Sequence, residues 1–242
     1  MEIIWGNIAV AVVCFLFGYL LGGFPSGVVI GKVFFHKDPR DYGSHNSGGT
    51  NSGRVFGKRI GILVIALDMM KCTIVFWSVW AVMRFSGIRD AFWIYDDGVL
   101  YTWLAPLGAA IGHCYPIYLH FKGGKTVACY MGLLAGTSWL STILCWLSFM
   151  PLFLGKRIVS VASLVSSGFL CLYEWVMAFL VMFAHINGEV FQWNFGAGGG
   201  LNYGWESASI VTIIYLLMVF RHAANLKRIA KGEEVPLVWP SK

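Results

Sequence analysis

Charge is what this sequence lacks most. Only 12% of its 242 residues are Asp, Glu, Lys or Arg, against about 25% in an average soluble domain. Residues 3–30 carry no charge, and further uncharged runs cover 60–67, 99–121, 126–154, 158–173 and 207–220. The mean hydropathy is +0.68. A helix needs about 20 apolar residues to cross a bilayer, so the first run alone is long enough. No basic stretch precedes it and Glu2 is acidic, which argues against an uncleaved signal peptide. The runs also lack polar/apolar alternation, which excludes a membrane β-barrel. The six cysteines (14, 72, 114, 129, 145 and 171) form no CxxC pair and fall in or beside the apolar runs. They are read as small buried residues, so neither a disulfide framework nor a metal site is expected. No internal repeat is visible. The composition describes one all-α polytopic membrane domain over residues 1–242.

The charges that are present are sorted. Fifteen of the 18 basic residues fall in four places: the first polar loop (32–59), the segment at 122–125, the pair at 156–157, and the C-terminal end from 221. The remaining loops are mostly acidic. Positive loops stay in the cytoplasm, so the N-terminus is expected outside and the C-terminus inside, with an odd number of crossings. The run 126–154 decides that number. Both its flanks are basic, yet its 29 residues fall short of the ~40 needed for two full spans. It must be a re-entrant hairpin or two short, tilted helices turning near Gly136, Thr137 and Ser138. The expected total is seven transmembrane helices, some short or re-entrant, with five full spans plus a hairpin as the alternative. The "GAGGG" stretch at 196–200 reads as an external loop.

Four polar segments fall at the basic ends of these helices. "GGFPSGVVIGK" (22–32) breaks the first helix, and backbone groups freed at membrane depth must face protein or a wet cavity. Lys32 ends it. "GSHNSGGTNSGR" (43–54) holds no aliphatic or aromatic side chain. Its glycines, among them Gly48, let amide groups turn inward as an anion-binding nest. Ser44, Asn46, Thr50 and Asn51 add neutral donors, and Arg54 adds a permanent bidentate charge suited to phosphate. In "IGHCYPIYLHFKGGKTVA" (111–128), Gly123 and Gly124 allow close backbone approach beside Lys125, and a helix N-terminus that attracts anions follows. It is not a Walker A loop, because position 119 is Leu. In "RHAANLKRIAKGEE" (221–234), His222, Asn225 and Arg228 share one helix face.

Two sets of ionisable residues lie inside apolar runs. Asp68 and Lys71 are three apart on one helix face and form either a functional pair or a structural one. Glu174 stands alone and is expected to bond a neighbouring helix. The four polar segments together offer Lys32, Arg54, Lys125, His222 and Arg228 with no convergent carboxylates. That set suits a phosphate-rich substrate held beside lipid.

The same segments resemble, in order and spacing, the motifs of the bacterial acyl-phosphate-dependent glycerol-3-phosphate acyltransferases (PlsY type). The resembling stretches are "GGFPSG" with "DPRDYGSHNSGGTNSGRVFG", then "GHCYPIYLHFKGGKTVA", then "HAANLKRIAKGEE". His45 stands where the family usually has glycine, Gly49 where it has another small residue, and the segment 185–206 is longer than usual. The resemblance implies seven helices and a cytoplasm-facing site in the bacterial inner membrane. It implies acyl-phosphate and glycerol-3-phosphate as substrates, lysophosphatidic acid and phosphate as products, and neither cofactor nor metal. It also implies catalytic roles for Ser44, Arg54, Lys125, His222 and Asn225. Phosphate binding then involves Lys32, Asn46, Gly48, Thr50, Asn51, Gly123, Gly124 and Arg228, and the motif glutamate, matched by Glu234 or Glu233, is structural; Asp68 and Lys71 are placed with it as structural residues. The general base is either His222 or, preferably, a substrate phosphate. No nucleic-acid partner is expected. The oligomeric state is open, and a monomer suffices for this site.

Two other readings compete. His36 and Asp41 match the HxxxxD spacing of thioester-using acyltransferases, in which Asp orients a histidine base, but the flanking residues do not match. Glycine-rich helix breaks also suit transporters, although here they cluster at one membrane face.

Overall fold

A computed structural model describes residues 2–94, 98–191 and 203–240. The acidic residues 96 and 97, and residues 192–202 of the external segment with the "GAGGG" stretch, therefore lie outside the described residues. Among those described, eleven α-helices follow one another. α1 (Glu2–Gly22) continues after a break at Pro25 as α2 (Ser26–Phe35), and α3 (Gly49–Phe56) leads into α4 (Lys58–Phe85). Then come α5 (Ile88–Phe92), α6 (Val99–Cys114), α7 (Val127–Thr137), α8 (Trp139–Lys156) and α9 (Val159–Phe183). α10 (Trp205–Arg221) and α11 (Ala223–Ala230) close the chain, bent by 57° at His222.

Four stretches are long and apolar enough to cross a membrane: Ile4–Phe35, α4, α8 and α9. The bent pair α10 and α11 makes a fifth if taken as one span. The run 126–154 is two helices that meet at Ser138, as its length requires. Ser138 is extended at φ −140° and its hydroxyl accepts from the Ser141 N–H at 3.1 Å, an N-cap that restarts the helix. The same hydroxyl contacts the Phe191 carbonyl and the Tyr203 hydroxyl, which fastens this turn to the end of the bundle away from the basic loops.

Helices in lipid gain no hydrophobic drive from touching each other, so close backbone approach must hold them. α1 and α6 meet through a seam of small residues. A β-carbon at Gly18 would lie 1.9 Å from the Ala105 carbonyl oxygen, one at Gly108 2.1 Å from that of Phe15, and one at Gly112 2.1 Å from that of Tyr19. Above this seam the core closes around buried Phe76, Trp103 and Tyr130, with Phe76 edge-on to Trp103 at 5.0 Å.

The intramembrane pair lies against the first helix break, with Asp68 Oδ1 also 3.9 Å from the His113 Nδ1. The Lys71 Nζ donates to Asp68 Oδ1 at 2.6 Å and to the Phe24 carbonyl. Phe24 belongs to the break between α1 and α2, and Lys71 joins the Ser26 N–H in satisfying its carbonyl. Glu174 is buried in α9. It lies fifteen residues past the start of that helix, about 22 Å along it, far from the polar loops.

Gly108→Val puts a branched side chain into the α1 and α6 seam. It is expected to cost at least about 1–3 kcal/mol, read as a clear fall in melting temperature in detergent, whereas Gly155→Ala, where nothing lies within 4 Å, leaves it unchanged.

Candidate active site

All four polar segments come together at one end of the bundle. The segment 43–54 is not the open loop its glycines imply. From Gly49 onward it is α3, with Gly48 in the N-cap position. Gly49 and Gly53 serve close packing: α3 lies so near α4 that a β-carbon at Gly61 would sit 2.7 Å from the Gly53 Cα. What is left of the nest is the start of α3. Asn51 is buried and braces the loop: its Nδ2 donates to the carbonyls of Pro39, Tyr42 and Asn46, and its Oδ1 accepts from the Ser44 N–H at 2.8 Å. Asn46 Oδ1 accepts from the Gly48 N–H at 2.9 Å. Gly48 and Asn51 therefore shape the site with groups that are already paired, as does the Asn46 Oδ1. The N–H groups of Gly49 and Thr50, first in α3, take no acceptor among the described residues. Gly43 makes the turn at φ +62°, with Asn51 Oδ1 where its β-carbon would be. His45 also takes a positive φ, 54°, and its Nδ1 donates to the Arg40 carbonyl at 2.9 Å. That local bond gives a histidine a reason to adopt a conformation that usually favours glycine.

The 111–128 segment is corrected in the same way. The N–H groups of Gly123 and Gly124 donate to the carbonyls of Cys114 and His113. Their own carbonyls accept from Arg221 at 3.0 Å each. The close approach these glycines permit is to His113, whose Nε2 would lie 2.0 Å from a β-carbon at Gly124. The loop is a clasp that presents Lys125 rather than a cradle of free amides. Arg221, which also lies over the Tyr115 ring at 5.0 Å, has no signal in the sequence beyond its charge.

Lys125 meets the third segment directly. Its Nζ donates to Asn225 Oδ1 at 2.6 Å. The Asn225 Nδ2 donates to Ser160 Oγ at 2.9 Å and to Glu234 Oε1 at 2.5 Å. Ser160 donates to the same Oε1 at 2.6 Å, and the Arg228 Nε donates to Oε2 at 2.7 Å. Ser160, at the start of α9, is a site member that sequence reasoning missed. His222 is 3% exposed at the bend, and its Nδ1 donates to the Met218 carbonyl at 2.8 Å. That bond places the proton on Nδ1 and leaves Nε2 as the basic nitrogen.

The electrostatics match this picture. Burial pushes the Lys125 pKa down to about 8; the Glu234 charge opposes the shift, and Arg228, Arg54 and Arg221 add to it. Burial also lowers the Arg54 pKa, with Glu234 opposing and Arg228 adding. For Glu234, burial works against the charge, yet hydrogen bonds from Ser160, Asn225 and Arg228 hold its carboxyl below the usual range. Three arginines thus act on Lys125, with Glu234 as the well-bonded carboxylate that opposes them. Two predicted residues stand apart, and a third is engaged within the site. Lys32 is exposed and faces Asp38 at 3.7 Å. Ser44 lies exposed on the rim. Arg228 is bound to Glu234, so it shapes the site first through that pair. His36 caps α2 and makes no hydrogen bond to Asp41 among the described residues.

A family model described as glycerol-3-phosphate acyltransferase matches residues 12–232. The chain belongs to the PlsY-type glycerol-3-phosphate acyltransferase family. It is similar to the glycerol-3-phosphate acyltransferase of Staphylococcus saprophyticus, 37% identical over 94% of this chain and 98% of that one. It is also similar to that of Latilactobacillus sakei, 33% identical over 91% and 89%. The crystal structure of PlsY, an integral membrane glycerol 3-phosphate acyltransferase, in its glycerol 3-phosphate form superposes with a TM-score of 0.73. That match has 30% identity over 94% of this chain and 96% of that one. The lysophosphatidic acid form gives 0.70 at 29% identity. The chain is therefore an acyltransferase and an integral membrane protein.

With Lys125 at about 8, its charge is present below that pH and lost above it. kcat/KM is expected to fall as pH rises through about 8, and Lys125→Arg is expected to move that limb beyond pH 10. A pH–rate profile of both proteins checks this.

Proposed function

We propose that this enzyme transfers a fatty acyl group from an acyl phosphate to the 1-hydroxyl of glycerol-3-phosphate, giving lysophosphatidic acid and inorganic phosphate. The observation that carries the reading is the convergence of Arg54, Lys125, Arg221 and Arg228 at one end of a lipid-embedded bundle, with Glu234 bonded to Arg228 and acting on Arg54 and Lys125. Two phosphorylated substrates side by side repel each other, and buried cations offset that repulsion strongly.

An acyl phosphate is an activated mixed anhydride, so the reaction needs no covalent enzyme intermediate. The hydroxyl oxygen bonds to the acyl carbon, the bond from that carbon to the phosphate oxygen breaks, and phosphate leaves with the electron pair. The hydroxyl proton passes to a substrate phosphate. His222 is the second choice of acceptor through Nε2. In this reading Arg54 and Lys125 hold phosphate oxygens, and the free N–H groups of Gly49 and Thr50 add to them. Asn225 aims Lys125, and Ser44 orients the substrate from the rim. Positioning and fixed charge supply most of the acceleration.

The basic end faces the cytoplasm of the bacterial inner membrane in this reading, with seven crossings, the N-terminus outside and the C-terminus inside. α1 with α2, α4, α6, α7, α8, α9 and α10 are the seven. The bilayer is the second partner, because the acyl chain must remain in it while both phosphates sit at its surface. A transporter reading is disfavoured because the breaks and cations gather at one end of the helices, not at their middle.

Purified protein in detergent, given palmitoyl phosphate and glycerol-3-phosphate, is expected to release phosphate and form lysophosphatidic acid. Arg54→Ala and Lys125→Ala are each expected to reduce kcat/KM by about 10²–10³-fold. Wild-type turnover in both variants, or turnover with acyl-CoA alone as donor, would refute the proposal.

A further inference from the structure

The family match ends at residue 232, yet the chain continues in an ordered path back across the site. Glu234 is fixed by Ser160, Asn225 and Arg228. The Leu237 N–H then donates to the Arg157 carbonyl at 2.7 Å, in the turn between α8 and α9. Two residues later the Trp239 indole N–H donates to the Thr50 carbonyl in α3 at 3.2 Å. The half-buried indole lies against Gly53, so that a β-carbon there would be 2.5 Å from the ring. These contacts span 189 positions of sequence.

We propose that the segment 234–239 is a strap whose last anchor, Trp239, is a positioning residue for Arg54. α3 has eight residues with glycines at both caps, too short to be stable by itself. Its placement must come from what it packs against. On one side that is α4, through Gly61 and the Gly53 Cα. Elsewhere it packs on α2, through the Phe35–Phe56 stack at 4.6 Å and Gly27 beside Ser52, and on the Trp239 ring, which covers Gly53 next to Arg54. The carbonyl that the indole N–H meets, that of Thr50, is the one an α-helix uses to accept the N–H of residue 54. Trp239 therefore holds the turn that carries Arg54. Glu234, at the other end of the strap, belongs to the network that ends on Lys125. The strap ties the two phosphate-binding halves of the site, separated by 71 residues from Arg54 to Lys125, to one short segment. The inference rests on the role of Arg54 proposed above.

The test compares the full-length wild type with Trp239→Ala and Trp239→Phe in detergent, by hydrogen exchange and by steady-state kinetics. Trp239→Ala is expected to speed exchange of the α3 amides by about tenfold while the α10 amides keep wild-type protection. It is expected to lower kcat/KM by about tenfold, and Trp239→Phe, which keeps a ring over Gly53, to recover part of both effects. Because the effect runs through Arg54, Trp239→Ala added to Arg54→Lys is expected to bring less than a further twofold loss. Added to Lys125→Arg, it brings the full loss. Unchanged α3 exchange overturns the inference, as does the full penalty on top of Arg54→Lys. If Trp239→Ala cannot be purified folded, Trp239→Phe carries the same readouts. The exchange result is independent of whether Arg54 binds phosphate, so a failure of that reading shows separately, as wild-type turnover in Arg54→Ala.

Discussion

The cations around Lys125 depend on one carboxylate. Glu234 is the anion that acts on both Lys125 and Arg54. At an effective dielectric near 20, two unit charges about 4 Å apart interact by about 4 kcal/mol. A cluster of three guanidinium groups and an ammonium would push itself apart without a counterion. Glu234 is bonded by Ser160, Asn225 and Arg228, so it stays charged and stays in place. Because it is occupied by these neighbours, the cations keep an unbalanced positive field on their other faces, where phosphates can bind.

The membrane explains why so much of the rest is glycine. Lipid offers no gain for burying an apolar face, so helices must touch backbone to backbone or share hydrogen bonds. The α1 and α6 seam, the α3 and α4 crossing and the Gly123-Gly124 clasp all use the same device. Where the chain breaks its helices, a nearby side chain completes the backbone: Lys71 at Phe24, Ser138 at the start of α8, and Arg221 at the two glycine carbonyls.

The sorting of charge along the chain made the shape of the protein legible. Basic loops mark one end of the bundle, and the shortness of the 126–154 run foretold the turn at Ser138. The polar segments were readable as one site because each falls at the same end of its helix. What glycine does in each segment was not readable. A nest, a packing contact and a helix start share the same composition, and only the three-dimensional neighbour tells them apart: Ile65 and Gly61 beside Gly49, His113 beside Gly124. Ser160, Arg221 and Trp239 were missed because their partners lie 65, 97 and 189 positions away, and nothing local records such contacts. His45 is the reverse case. It departs from the family pattern, yet a bond across five residues accounts for it.

The central claim is that Arg54 and Lys125, brought together from separate segments, face bound phosphate at one site. An experimental structure of this chain with glycerol-3-phosphate measures that directly. The account predicts phosphate oxygens within about 3 Å of the Arg54 guanidinium or the Lys125 ammonium, beside the α3 N-terminus. Phosphate bound elsewhere, with both side chains left unliganded, would contradict it.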